Sequence, residues 1–257
     1  MKNKKGFTLA EVLITLGIIG VVAALSIPTL INNYQKTQYV TQLKKTYVTV
    51  QEFIKQEMAK TNAENIADTD LIDTDTNTAK IDEAIKKSIK TVKTCIDWDP
   101  ACIPKTCKDG EVGCTNGEYK QLDFANWGYY NWDVFSRCNR FYTLDGALVR
   151  LCFSPTCVPN NSLPSKMKAN CGSVFIDVNG QKEPNQYGRD LFEFDIAHDG
   201  TLYPNGSKES ELYSGNPNAY WAVDQYQCGA IGSKDIEWSS GMFCAARIVE
   251  EGWQMNY

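Results

Sequence analysis

Histidine is almost missing from this sequence: His198 is the only one in 257 residues. That excludes metal centres built on several histidines, and it leaves histidine-dependent catalysis to a single side chain beside an Asp199-Gly200 turn. A histidine in that position is ordinarily a surface residue. There is no serine elbow and no phosphate loop, so the chain does not read as an enzyme. An excess of positive charge is also missing. Lys and Arg number 26 against 31 Asp and Glu, a formal net charge of −5, which leaves no electrostatic footprint for nucleic acid. Charged residues at 22% and hydrophobic residues at 43% are ordinary proportions, which exclude a disordered chain and a polytopic membrane protein. No internal repeat is present.

Cysteine, by contrast, is plentiful. Cys95, Cys102, Cys107, Cys114, Cys138, Cys152, Cys157, Cys171, Cys228 and Cys244 all follow the N-terminal apolar segment. An even number placed this way points to an oxidising compartment and as many as five disulfides. Zinc would need paired ligands, usually separated by about two to four residues. The closest pairs, Cys102/Cys107 and Cys152/Cys157, sit at the wide end of that range, and histidine ligands are lacking. Disulfides are therefore the better reading, with Cys228–Cys244 and pairings inside Cys95–Cys114 as the expected bridges.

Residues 1–31 read MKNKKGFTLAEVLITLGIIGVVAALSIPTLI. A short basic head ends at Gly6, and from Phe7 to Ile31 every residue is apolar or small except Glu11 and scattered hydroxyls. As a helix this run spans about 37 Å, enough for a bilayer core of about 30 Å. The lysines are expected to stay in the cytoplasm, so that everything beyond Ile31 is exported. A secretory signal cut near Ala23 or Ala24 is the ordinary alternative. It explains neither the continuation of the run to Leu30 and Ile31 nor Glu11, since a carboxylate in a membrane helix costs about 2.5–3.5 kcal/mol on insertion scales.

The stretch KKGFTLAEVLITLGIIGVVAALSIPTL resembles the N-terminal motif of type IV prepilins and type II secretion pseudopilins along its whole length. Gly6 stands before the scissile bond, Phe7 after it, Glu11 is fifth in the mature chain, and Pro28 lies late in the apolar run. The resemblance implies cleavage between Gly6 and Phe7 by a membrane aspartyl prepilin peptidase, and methylation of the new Phe7 amine. It also implies a filament subunit assembled with other pilin or pseudopilin subunits on an inner-membrane platform, lipid being the solvent of the helix beforehand. Each residue suits its part. Gly6 lets backbone enter a protease cleft, Glu11 pairs with the Phe7 ammonium of a neighbour and sets register, and Pro28 is expected to kink or locally melt the helix. Loss of Lys2, Lys4 and Lys5 with the leader takes the formal charge to −8, so the exported surface is acidic and no nucleic acid partner is expected.

The remaining chain sorts into a leader (1–6), a helix (7–60, with 7–31 in the membrane) and an exported head (61–257). Val40, Leu43, Tyr47, Val50, Ile54 and Met58 form one helical face that packs on the head; a helix of this extent would be roughly 80 Å long. Residues 61–79 hold five acids and no base and read as a solvated loop. A second helix is expected over Lys80–Thr94. Then the pattern turns to strands: a Phe141–Phe153 hairpin turning at Asp145-Gly146, Ser173–Val178, and Leu191–Ile196 returning through Asp199-Gly200 to Thr201–Tyr203, with a last strand over Phe243–Val249. The fold class is α+β, a long N-terminal helix on a small antiparallel sheet with disulfide-stapled loops.

In the head, Asp177, Asn179 and Asp190 gather oxygens in a run that loosely resembles the calcium-binding loop region of major pseudopilins. The resemblance implies calcium there, but an EF-hand would need a further ligand and a closing glutamate that are missing. Turn residues with solvated aspartates account for the run as simply, and no cofactor is required. The aromatic cluster Trp127, Tyr129, Tyr130, Trp132 and Phe135 reads as core and rim. Asn205-Gly206-Ser207 fits a glycosylation triplet. The N-terminus does not separate a secretion pseudopilus from a surface pilus. The chain is long for a repeating shaft subunit of the family, which suits a minor subunit, and the rival function is an adhesin or binding module displayed on the filament.

Overall fold

The computed structural model describes residues 8–72, 78–96, 102, 138–154, 157, 166–210, 228 and 241–257. In order, these form α1 (Leu9–Thr61), a 3-10 turn (Ile66–Asp68), α2 (Thr78–Ser88), β1 (Thr91–Ile96), β2 (Cys138–Thr143), β3 (Leu148–Phe153), β4 (Asn170–Asp177), β5 (Leu191–Ala197), β6 (Leu202–Pro204) and α3 (Cys244–Glu250). The chain divides into two compact units, Met1–Gln38 and Tyr39–Tyr257.

The first unit is the apolar part of α1. Its large side chains lie open, Leu9 at 79% and Leu25 at 75% exposure among them, and the helix is long and apolar enough to cross a membrane. The hydroxyls of Thr15 and Ser26 are satisfied within the helix. Thr15 Oγ1 donates to the carbonyls of Glu11 and Val12, both at 2.9 Å, and Ser26 Oγ donates to that of Val22 at 2.8 Å, as a lipid environment demands. Pro28 does not melt the helix. The helical conformation runs on through it, because the single hydrogen bond it removes is outweighed by the intact turns on either side.

The second unit is an α+β head. Six strands form one antiparallel meander in the order β1-β2-β3-β4-β5-β6. The expected stripe on α1 is the one buried: Val40, Leu43, Val50, Phe53, Ile54 and Met58 are in the core, with Tyr47 half-buried. They pack among Phe141, Val149, Leu151, Val174, Ile176, Phe192, Phe194 and Ile196 from the sheet, each such side chain contributing about 1.5–3 kcal/mol. Polar contacts fix the register of helix on sheet. Gln51 Nε2 donates to the Gly200 carbonyl at 2.8 Å, while its Oε1 accepts from Leu202 N–H at 2.8 Å. Lys45 pairs with Asp145 at 2.6 Å. Both Asp-Gly turns form as expected, with Gly146 at φ +88 and Gly200 at φ +74, conformations that favour glycine.

Three expectations are corrected. The second helix stops at Ser88, and Thr91–Ile96 is strand β1 instead, paired antiparallel with β2. Thr91, Val92 and Thr94 are β-branched and favour the extended state once a partner edge is present. The segment Phe243–Val249 is not a strand but holds helix α3, with Cys244, Ala245 and Ile248 buried on one side and Arg247 paired to Glu251 at 2.8 Å, four residues on. Two adjacent alanines and an i,i+4 ion pair are helix signals that the apolar run concealed. Finally, the described part of the acidic 61–79 stretch is not purely solvated. Ile66 and Leu71 are buried, and Ile66 N–H donates to the His198 carbonyl at 2.7 Å.

Among the described residues four disulfides hold the head: Cys95–Cys102, Cys138–Cys152, Cys157–Cys171 and Cys228–Cys244. Cys138 and Cys152 are direct partners in the β2–β3 register. Both expectations made from spacing, Cys228–Cys244 and a bridge within Cys95–Cys114, are met. No described cysteine is free; Cys107 and Cys114 lie outside the described residues.

Candidate functional site

The N-terminal constellation is seen from Thr8 onward, Gly6 and Phe7 lying outside the described residues. Glu11 folds back on the first turn of α1. Its Oε2 accepts from Thr8 N–H and from Thr8 Oγ1, both at 2.8 Å, while Glu11 N–H donates to Thr8 Oγ1 at 3.2 Å. This is a reciprocal capping box of the T-x-x-E form, which satisfies donors at the helix start and places a negative charge where the helix dipole favours it. The sequence Thr8-Leu9-Ala10-Glu11 carries that signal in its T-x-x-E spacing. Among the described residues nothing bonds Oε1, so the carboxylate keeps one oxygen for another partner. Pro28 sits seventeen residues further along the same exposed apolar helix.

In the head, Asp177, Asn179 and Asp190 do come together. Asp177 Oδ1 accepts from Asn179 N–H at 3.1 Å. The Asn179 side-chain amide donates to Tyr39 Oη at 3.3 Å and to the Glu183 carbonyl at 3.2 Å. Both oxygens of Asp190 are engaged by backbone, Oδ2 by Asn185 N–H at 2.8 Å and Oδ1 by Gln186 N–H at 2.6 Å. Asp190 therefore closes its own loop, and Asn179 Oδ1, buried without a donor, is the oxygen most open to a cation. His198 Nδ1 lies 3.2 Å from the Met167 carbonyl, a contact that requires the proton on Nδ1. Among the described residues no three His, Cys, Asp or Glu side chains are grouped as metal ligands. The aromatic cluster 127–135 lies outside the described residues.

Residues 1–27 match the model of the prokaryotic N-terminal methylation motif. The chain carries the class III signal peptide of type IV pilins and pseudopilins. No curated protein and no solved structure matches it. The methylation motif thus covers the N-terminal tenth of the chain, and the pilin-like arrangement of the rest, a long apolar helix followed by an antiparallel sheet, is seen in the structure itself. The folded head also disposes of the Asn205 glycosylation triplet, because Asn205 is 1% exposed and its amide is out of reach of a transferase.

Three carboxyls in the head make its stability depend on pH. Burial pushes Glu193 up to about 8, helped by the Asp195 charge, and pushes Asp190 up to about 6 against its amide hydrogen bonds. Burial also acts on Asp145, but hydrogen bonds from Lys45, Gln42 and Thr143 bring it down to about 2. A raised carboxyl stabilises the fold fully below its unfolded value and loses that contribution as pH rises through the folded value. For Asp190 and Glu193 the loss therefore runs from about pH 4 to pH 8. Asp145 acts oppositely, but only in more acid solution. Since one pK unit is about 1.4 kcal/mol and 1 kcal/mol moves Tm by about 2–4 °C in a domain of this size, Tm in chelator should fall by roughly 10–20 °C between pH 5 and pH 8. Calorimetry at the two pH values checks this, and a flat or rising Tm contradicts it.

Proposed function

We propose that the chain is a structural subunit of a type II secretion pseudopilus or a type IV pilus. The observation that carries this reading is the methylation motif over residues 1–27, whose sequence holds Gly6, Phe7 and Glu11, followed by an exposed apolar helix from Leu9 onward. Prepilin peptidase cuts between Gly6 and Phe7 on the cytoplasmic side, the Phe7 amine is methylated, and the helix 7–31 holds the product in the inner membrane as a single pass with its head exported. The free Oε1 of Glu11 then takes the Phe7 ammonium of a neighbouring subunit, while Oε2 stays on Thr8. Two charges that are costly alone in lipid become a contact that sets subunit register. Nothing in this role calls for catalysis, and the partners are the other subunits, the peptidase and the assembly platform.

The processing step tests it directly. Intact-mass measurement on the membrane fraction is expected to give a chain beginning at N-methyl-Phe7. Gly6→Val, which puts a branched side chain where the backbone must enter the peptidase cleft, should reduce that species to a few per cent or less and accumulate the precursor. A mature start near Leu25, or an uncut chain beginning at Met1 in the wild type, would remove the basis for the reading.

A further inference from the structure

The sheet face turned away from α1 is built differently from the face beneath the helix. Along β5 the side chains alternate, Phe192, Phe194 and Ile196 entering the core against α1, and Glu193 and Asp195 pointing to the other side. Yet this other side is not open to solvent: Glu193 is 7% and Asp195 2% exposed. In the register across β4, Phe175 stands opposite Glu193 and Ser173 opposite Asp195. The turn after β6 comes back to Glu193. Asn205 N–H donates to the Glu193 carbonyl at 3.1 Å, and the Asn205 side chain meets the Glu193 carboxyl. Gly206 seats this turn on Phe243 so closely that a Cβ would strike the ring, which leaves little room for solvent.

Two carboxylates on one strand are not in themselves a site. Here, however, Glu193 and two residues of the turn after β6 hold buried oxygens with nothing donating to them. Glu193 Oε2, Asn205 Oδ1 and Ser207 Oγ have no hydrogen-bond partner among the described residues, and Asn205 and Ser207 are 1% and 5% exposed. Each unsatisfied buried polar atom costs about 1–3 kcal/mol, so several in one place call for a ligand that accepts lone pairs. The set is all oxygen, with two carboxylates, an amide and a hydroxyl, and no sulfur or imidazole, which is the donor chemistry of a hard cation. The counter-charge facing it is Arg150 on β3, whose guanidinium lies 5.5 Å over the Phe175 ring.

We propose that Glu193, Asp195, Asn205 and Ser207 form a binding site for a divalent cation of the calcium type in the exported head. It is separate from the loop of Asp177, Asn179 and Asp190, where the Asp190 carboxylate is already held by amides. The site ties β5 to the turn after β6, so occupancy stabilises the edge of the sheet and not the helix.

The test uses the mature full-length protein in detergent at pH 8, melted in chelator and in excess calcium. At about a hundredfold excess over Kd the wild type is expected to gain roughly 5–10 °C. Glu193→Gln keeps the shape and removes the charge. It should melt cooperatively in chelator at no lower temperature than wild type, and the calcium gain should vanish. Asp190→Asn should keep the gain. Asn205→Asp supplies a stronger oxygen ligand at the same place and should enlarge the gain, which keeps the proposal testable should the Gln variant fold poorly. Absence of a calcium shift in the wild type overturns the proposal, as does a shift that survives Glu193→Gln. A shift lost in Asp190→Asn but kept in Glu193→Gln assigns the cation to the other loop and overturns it equally, as does an Asn205→Asp variant indifferent to calcium.

Discussion

Glu11→Ala is expected to leave membrane insertion and Gly6 processing intact and to lower incorporation into filaments by roughly a hundredfold or more. Insertion should be at least as efficient as in wild type, because the substitution removes a cost of about 2.5–3.5 kcal/mol for a carboxylate in the apolar helix. In the proposed processing the peptidase reads the basic head and Gly6, neither of which is touched. Assembly is where the loss falls. The neighbouring Phe7 ammonium would enter the filament core with no carboxylate to meet it, and breaking a buried pair by removing one partner costs about 3–5 kcal/mol. The capping box adds a smaller effect: without Glu11 Oε2 the Thr8 N–H and hydroxyl lose their acceptor, and the first turn of α1 frays by the equivalent of about 1 kcal/mol. Glu11→Asp keeps the charge with one methylene less reach and should fall between. The measurement is the ratio of pelletable filament to membrane-retained mature chain for each variant. Assembly of Glu11→Ala at the wild-type level would disprove charge pairing and leave a plain membrane anchor as the better account.

Reduction is expected to unfold the head. The four described bridges join cysteines 7, 14, 14 and 16 residues apart, and closing loops of this size contributes about 2–4 kcal/mol each. Their sum is comparable to the whole stability of an ordinary domain, about 5–15 kcal/mol. Reduction followed by alkylation should therefore abolish the near-ultraviolet circular dichroism and open the chain beyond Tyr39 to protease, while the apolar part of α1 keeps its helical signal. Peptide mapping without reduction should recover Cys138 with Cys152 and Cys228 with Cys244 as joined fragments. Stoichiometric zinc, or free thiols at these four positions in protein isolated under native conditions, would contradict both the pairing and the oxidising compartment. The pair Cys138–Cys152 is the most informative to replace, because it links strands already in register. Its removal should loosen the β2–β3 pairing without changing which strands are neighbours.

The order of strands was open to inspection wherever a turn announced itself. Asp145-Gly146 and Asp199-Gly200 mark positions that need a left-handed residue, and each lies between runs of matching alternation, so two hairpins follow from residues within a dozen positions of one another. Lys80–Thr94 misled for the opposite reason. Ile81, Ile85 and Ile89 hold helical spacing up to the point where the chain changes state, and only pairing with β2, some fifty residues later, makes Thr91–Ile96 a strand. Helix α3 was concealed in the same way, since a short apolar run has no periodicity long enough to distinguish it from a strand. Glu193 and Asp195 are more instructive still. In a strand with one buried face, alternating acids read as solvent-facing, and it is the burial of the second face that turns them into a liability or a site.

What the sequence determined alone is the first thirty residues and the redox state of the head. A basic leader, a glycine, an aromatic, an acid five residues after the glycine and a membrane-length apolar run are all local. An even set of cysteines after that run needs only counting, and the stripe on α1 needs only helical spacing. The tertiary structure decided the rest: which cysteines meet beyond the two expectations from spacing, that Asp190 is held by its own loop, and that acids of β5 lie in the interior beneath the turn after β6. The physical reason is the same throughout. Processing, insertion and helix register depend on residues within a few turns of each other, whereas burial of a polar side chain is set by what the far end of the chain lays over it.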